Sequence, residues 1–513
     1  MSEHSRRNLF RAGAVASVAA LQPAPALAHA ARVGCAPPLG PVRVHPGDPR
    51  YEDLVRRGNR RFVGTPDEVR VVGSTQQVVE AVREAVRSRR RVAVRSGGHG
   101  FEGFVDDPGV RVVIDLSGLT GVYFDPRRSA FAVEAGATLG EVYRRLYLGW
   151  GVTIPGGSCP GVGVGGHIAG GGYGRLSRLH GLAADFLHAI EIVVVTAAGD
   201  VRAVVASREP ADPHRELWWA HTGGGGGNFG VVTRYWFRSL PQPPARVVNF
   251  TVTWPWAGMD ERDFHRLAGN FGTWCERHSA PGAPQARLYS ELVLTSRSAG
   301  AHLLTGQVPG DAGPLLDEHV TAVGAGVGVT PVRSQETLPW LAATLGKDSD
   351  DGKGWRLKVK SAFHRTGLTG RQLAAAYHHL ALVGDDAPAR SMSLNTYGGA
   401  INSVPPAATA TARRDATMLL FYLTGWTDPA EDDRHLGRLR EFYRDMYADT
   451  HGVPAGGAYI NYPDVDLADP AWNRSGRPWS ALYYGDRYAR LQAVKAHWDP
   501  RDVFRHALSV RRA

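Results

Sequence analysis

Two glycine-rich stretches decide how this chain is read: RSGGHG at 95–100 and GGSCPGVGVGGHIAGGGYG at 156–174. Backbone amides approach an anion closely only where side chains are absent, so both stretches suit a phosphate cradle. The second also satisfies GxGxxG through Gly161, Gly163 and Gly166, with Asp185 about twenty residues on, the outward form of a dinucleotide-binding fingerprint. That fingerprint follows a strand and opens a helix. Here Cys159-Pro160 precedes it and Gly170, Gly171 and Gly172 follow, which predicts an extended loop and argues against the dinucleotide fold. A third run, Gly223–Gly227, reads equally well as a plain turn.

Outward from these stretches the pattern is mixed α and β. Residues 70–115 run strand, helix, strand, strand, with Ser74 or Thr75 capping the helix. AFAVEAGA (130–137) predicts a further strand and Thr138 the start of a helix, while AIEIVVVTAAGDVRAV (189–204) predicts two strands joined by a turn at Gly199 and Asp200. PQPPA at 241–245 reads as a linker. Beyond it, amphipathic stretches such as 260–278 and 432–452 alternate with strand-like runs at 287–296, 391–400 and 417–426, a sheet covered by helices. The expected class is α+β, with one domain over 40–245, a second over 246–464 and a closing segment, 465–513, that returns to the first. At 513 residues, two large domains match the usual domain size.

Composition describes an ordinary globular chain, 43% hydrophobic and 21% charged. Five of the 59 basic residues are lysines, at 347, 353, 358, 360 and 495. The net charge is +10, and the first 28 residues account for two of it through Arg6, Arg7 and Arg11 against Glu3. Those residues combine SRRNLF, an apolar stretch and Ala26-Leu27-Ala28, which reads as a twin-arginine export signal and places the protein outside the cytoplasm; the alternative is a basic tail that leaves it inside. Its apolar part is too short for a membrane span. The densest basic cluster, Arg83 to Arg91, closes the helix that starts near Ser74, where cations suit the dipole. No aromatic residues interleave with it, so single-stranded nucleic acid is not an expected partner, nor is a membrane.

Three cysteines, Cys35, Cys159 and Cys275, do not describe a disulfide framework. His99, Cys159, His167 and His180 lack CxxC or HxxxH spacing, so no metal is expected. Taken alone, Cys159 is a nucleophile in need of a histidine, or an inert thiol.

The ordered set RSGGHG, GGSCPGVGVGGHIAGGGYG, GGGGGNFGVVT (223–233), YINYPDVDL (459–467) and WDPRDVFRHALSV (498–510) resembles the berberine-bridge-enzyme-like flavin oxidases of the vanillyl-alcohol-oxidase (PCMH-type) fold. The likeness spans residues 40–513 and is strongest to members that oxidise sugars already attached to anthracyclines or glycopeptides. The resemblance implies FAD joined covalently through its 8-methyl group to His99 and through ring carbon 6 to Cys159. It further implies a cradle of Arg95, Ser96, Gly97, Gly98, Gly100, Gly163, Val164, Gly165, Gly166, His167, Gly170 and Gly171, completed by Val231 and Asn461. Gly100 is a departure, standing where related chains carry Cys. Val162 aligns with the position at which a small residue admits dioxygen.

An alcohol oxidation needs a base for the hydroxyl proton beside a hydride acceptor. Tyr462 matches the family's base position, with Tyr397 and Tyr173 as implied partners; Tyr459, on a strand, would point elsewhere and pack. A phenol's ordinary pKa of about 10 must then be lowered by positive charge or hydrogen bonds. The activity implied is oxidation of a small-molecule glycoside's hydroxyl to a carbonyl, enone or acid, with O2 reduced to H2O2. A free-oligosaccharide oxidase of the same fold and a flavin-binding protein without oxidase activity are the alternatives.

Overall fold

The computed structural model describes residues 40–346, 354–383 and 389–513, which fall in one unit, Leu39–Ala513. The expected export signal lies outside the described residues. Three sheets organise the unit, and their local signals are those in the sequence. Ser74 Oγ accepts from Gln77 N at 3.2 Å and starts the helix Thr75–Arg87. Val78, Val79, Ala81, Val82 and Ala85 give this helix one apolar face, which is buried. It connects two strands of a four-stranded sheet ordered Val42–Val44, Glu68–Val71, Val112–Asp115, Val92–Arg95, in which the last three run parallel.

A five-stranded antiparallel sheet follows, ordered Val122–Asp125, Ala130–Glu134, Val231–Phe237, Leu187–Val195, Val201–Ser207. The turn between its last two members contains Gly199 at φ +94°, a conformation glycine adopts without strain. Thr138 and Glu141 form a capping box that opens the helix Leu139–Trp150.

The third sheet begins at Arg246 and is antiparallel throughout, seven strands ordered Val332–Pro339, Arg246–Pro255, Ala301–Pro309, Tyr289–Thr295, Ala389–Thr396, Met418–Trp426, Arg356–His364. Its period of two divides the strands: Ser290, Leu292 and Leu294 are buried, whereas Tyr289 and Glu291 turn to the other face. The helices Glu261–His278, Gly313–Gly324 and Asp432–Met446 each contribute buried apolar residues to the same core. The architecture is therefore mixed helix and sheet with a large antiparallel sheet, as expected.

The C-terminal segment closes on the glycine run 223–227. Lys495 in the helix Tyr488–Trp498 donates from Nζ to the carbonyls of Asn228 (2.7 Å) and Phe504 (2.6 Å) and to Asp499 (2.7 Å). Asn228 in turn donates to the Gly224 carbonyl at 2.9 Å, so the run is held from both sides.

Candidate active site

The glycine stretches and one face of the seven-stranded sheet enclose a cavity of about 740 Å³. The first stretch leaves the strand Val92–Arg95 and is fixed along its length. Arg95 pairs with Asp115 and donates to the Leu54 carbonyl. Ser96 Oγ donates to the Ala135 carbonyl at 2.6 Å and accepts from Gly165 N at 3.4 Å. Arg57 donates to the carbonyls of Gly100 and Glu102 and pairs with Asp106.

The second stretch corrects the expectation of an extended loop. Val164–Ala169 is a short helix, with Gly163 at its N-cap. It packs backbone on backbone against the first stretch: a Cβ on Gly97 would lie 2.2 Å from Gly163 N, and one on Gly163 would lie 2.1 Å from Gly97 N. No strand leads into this helix; an isolated bridge from Gly163 to Thr138 precedes it, so the dinucleotide fingerprint is still excluded.

His167 in the short helix accepts the Gly157 N–H at 3.0 Å, and Tyr143 donates to the Gly157 carbonyl at 2.5 Å. Burial pushes His167 down to about 4, so it is neutral and able to accept. Gly157 is thus held from both ends two residues before Cys159. Val162 N donates to the Cys159 carbonyl at 3.2 Å, and both side chains line the cavity with His99.

Four tyrosines, Tyr173, Tyr289, Tyr459 and Tyr462, stand on the cavity, with Phe421, Leu423 and Leu357 forming its apolar sheet face. YINYPD is a turn, closed by Tyr462 N to the Tyr459 carbonyl at 2.9 Å, and not a strand. Two side chains three apart in a turn can share a side, and here the rings meet edge to face, 5.1 Å between centroids. Asn461 and Pro463 carried that signal, being turn formers. Tyr459 is therefore a site residue that the strand reading had set aside. Its hydroxyl oxygen accepts from Asn461 Nδ2 at 2.9 Å and from Tyr173 N at 3.2 Å, which limits the rise caused by burial to about 12.

The other hydroxyls differ in their engagement. Tyr173 donates to the Thr396 carbonyl at 2.6 Å and Tyr289 to Asn395 Oδ1 at 3.0 Å. The Tyr462 hydroxyl makes no hydrogen bond to the described residues, and Tyr462 lines the cavity. Burial, with Tyr459, Tyr289 and Glu291 nearby, holds it protonated well above the ordinary phenol range. The hydrogen bonds expected to help the base are thus on Tyr459, three residues earlier.

Of the residues singled out from sequence, Arg95, Ser96, Gly97, Gly98, His99, Gly100, Cys159, Val162, Gly163, Gly165, Gly166, His167, Tyr173, Val231, Asn461 and Tyr462 line the one cavity. Val164, Gly170, Gly171 and Tyr397 are not on its lining. Gly170 lies under Asn461, where a Cβ would come within 2.0 Å of Oδ1. Tyr397 packs behind Tyr173 with its ring tilted by 40°, 5.2 Å between centroids, and donates to the Arg413 carbonyl at 3.4 Å. Cys275 is buried, and its thiol is pushed up to about 12, the inert kind of cysteine.

The lining suits a dinucleotide. A Cβ on Gly166 would meet nothing within 4 Å, and on Gly100 or Gly226 nothing nearer than 3.6 Å, so the space beside these backbones is open. Exposed backbone beside open space is what a pyrophosphate requires.

Comparison with known proteins agrees. Residues 66–204 match the profile of an FAD binding domain, and residues 458–511 that of the berberine and berberine-like proteins. The aclacinomycin-N/aclacinomycin-A oxidase of Streptomyces galilaeus is 53% identical over 92% of this chain and 90% of that protein. Among solved structures, a flavoenzyme of the shunt product recycling mechanism in caerulomycin biosynthesis superimposes with a TM-score of 0.91 at 50% identity, over 93% of this chain and 100% of the other. A glycopeptide hexose oxidase complexed with teicoplanin does so at 0.89 and 50%, again over 93% of this chain and 100% of the other. A PCMH-type fold, an FAD cradle and this degree of identity along almost the whole chain make it a member of the berberine-bridge-like family of FAD-linked oxidoreductases.

Proposed function

We propose that the chain oxidises a hydroxyl group on a sugar attached to a natural product. The observation that carries this reading is Tyr462, the one of the four described cavity tyrosines whose hydroxyl is not hydrogen-bonded, packed on Phe421 of the apolar sheet face in the cavity that His99 and Cys159 also line. His99 and Cys159 hold the flavin covalently, one link from each stretch. Bound FAD would supply the hydride acceptor, with dioxygen as the final electron acceptor. Tyr462 takes the proton of the substrate hydroxyl as its phenolate, the form that burial disfavours in the protein alone, while the hydride leaves the same carbon. Tyr459, kept in place by Asn461 and the Tyr173 amide, fixes the ring of Tyr462 edge-on. Tyr173 and Tyr397 support this pair, and Val162, next to Cys159, leaves room for dioxygen.

The names of two similar proteins, an aclacinomycin oxidase and a glycopeptide hexose oxidase, support a glycoside as substrate. Leu357, Phe421 and Leu423 suit its apolar part. Export by the twin-arginine route, residues 1–28, belongs to the same proposal: that route carries proteins already folded around a cofactor. The test is peroxide release from the purified protein with glycosylated anthracyclines and glycopeptides, against lactose and cello-oligosaccharides. Turnover of the first group supports the proposal; turnover confined to the second favours a free-oligosaccharide oxidase and overturns it.

A further inference from the structure

All three lysines of the described residues, Lys358, Lys360 and Lys495, are buried, with side-chain exposures of 1%, 3% and 0%. In a chain whose other cations are almost all arginines, this is a choice of a compact three-donor ammonium over a planar fork. Two of the three form one cluster beneath the cavity. Lys358 Nζ donates to Glu102 Oε1 at 2.5 Å and to Asp464 Oδ1 at 2.7 Å. Lys360 Nζ donates to Asp464 Oδ2 and Asp466 Oδ2, both at 2.7 Å, and Arg440 completes the cluster on Asp466 at 2.8 Å. Three cations meet three carboxylates, and each charge is paired, as burial demands.

The carboxylates come from two different loops. Glu102 lies three residues after His99, and Asp464 two residues after Tyr462. Lys358 and Lys360 point to the same side of the strand Arg356–His364, which is paired along its whole length with Met418–Trp426. Lys358 alone touches both loops; Lys360 reaches only the second. Val465 N adds a direct bond to Glu102 Oε1 at 3.3 Å. The Glu102 carboxylate is 3% exposed, so it is set by this bond pattern and not by solvent.

We infer that Lys358 is a positioning residue: its bridge between Glu102 and Asp464 sets the loop that carries His99 at a fixed separation from the loop that carries Tyr462. The inference rests on the reading of His99 as a flavin tether and Tyr462 as the proton acceptor. The attachment of the cofactor and the placement of the base then share one ammonium group, beside the direct bond from Val465 N to Glu102. An arginine cannot replace the lysine, because a guanidinium is too long to sit between carboxylates held this close.

The experiment compares the full-length holoenzyme with Lys358→Met, Lys360→Met and the double variant Lys358→Met/Glu102→Gln. The double variant removes one charge of each sign and leaves Lys360 and Arg440 balanced against Asp464 and Asp466. Two quantities are read: amide hydrogen exchange in residues 97–104 and 459–467, and the fraction of the His99-containing peptide that carries flavin mass. In Lys358→Met both segments exchange faster together, by about tenfold or more, and the flavin on the His99 peptide falls by a similar factor while the Cys159 link persists. In Lys360→Met only 459–467 loosens, and the His99 link forms as in the wild type. The double variant regains the thermal stability lost in Lys358→Met without regaining the link. Equal behaviour of Lys358→Met and Lys360→Met, or restoration of the link in the double variant, overturns the inference. A wild-type protein with no flavin on His99 overturns the tether reading instead, and the exchange pattern then decides the bridge by itself.

Discussion

Tyr459 and Tyr462 are three residues apart and meet edge to face, yet they differ in what their hydroxyls do. The oxygen of Tyr459 is engaged by Asn461 and by the Tyr173 amide, so its removal leaves the buried Tyr173 amide without this partner and Asn461 Nδ2 with the His167 carbonyl alone. That costs about 1–3 kcal/mol in general. Tyr459→Phe is expected to lower the melting temperature measurably. The Tyr462 hydroxyl bonds to no described residue, so Tyr462→Phe is expected to leave the melting temperature near the wild-type value while kcat/KM falls by roughly 10²–10⁴. Differential scanning calorimetry and steady-state peroxide assays on the two variants check this pair; full turnover in Tyr462→Phe removes it as the base. At this scale the sequence motifs pick out His99, Cys159 and Tyr462, and the structure places all three on one cavity. The sequence was read poorly where a role depends on a fold in the backbone. Tyr459 and Glu102 are of that kind, because the turn at 459–462 and the cluster around Lys358 are tertiary facts.

Among the elements, the two glycine stretches matter most, because they pack main chain against main chain, with Ser96 Oγ beside the contact. At Gly97 and Gly163 a methyl group has no place to go: it would meet backbone atoms of the other stretch, which cannot swing aside, and at Gly163 the Ser96 hydroxyl as well. Gly163→Ala should therefore push the stretches apart and lower the flavin content of the purified protein by about tenfold or more, since a displacement near 1 Å is enough to spoil a positioned site. Gly166→Ala, whose Cβ meets nothing within 4 Å of protein, tests the cofactor side: it should fold with normal stability as the apoprotein and still bind flavin more weakly. The ratio of absorbance near 450 nm to that at 280 nm, taken over equal amounts of protein, reads both; unchanged flavin in Gly163→Ala would mean that the contact is not needed. Helix starts at Ser74 and Thr138 and the hairpin at Gly199 were legible because caps and turns are local chemistry. The short helix Val164–Ala169 was not, since two of its six residues, Gly165 and Gly166, are glycines, whose intrinsic helix preference is poor.

For the whole molecule, six histidines set the response to acid. Burial lowers His167, His221, His364 and His506 to about 4 and His302 and His319 to about 3. An unfolded histidine titrates near 6.5. Between that value and the folded ones the unfolded chain binds more protons than the native one, so stability falls as pH falls through this window and is fully present above it. Each such histidine adds a slope approaching about 1.4 kcal/mol per pH unit. The expected outcome is a melting temperature that drops steeply from pH 6.5 to 4.5; a flat profile by calorimetry over that range would contradict the burial of these rings. The alternating α and β order and the helix-covered sheet were visible in the periodicity of the sequence, whereas the strand order of the seven-stranded sheet was not, because pairing between distant strands leaves no local mark.

The placement of the lysines has one more consequence, for anyone who wishes to modify the protein chemically. Succinimidyl esters and other acylating reagents attack uncharged, accessible amines, and the described body offers none: Lys358, Lys360 and Lys495 are shielded and bonded to carboxylates or carbonyls. Dyes or immobilisation resins directed at amines are thereby steered away from these three lysines. Acylation at Lys358 would then serve as a record that the molecule had opened.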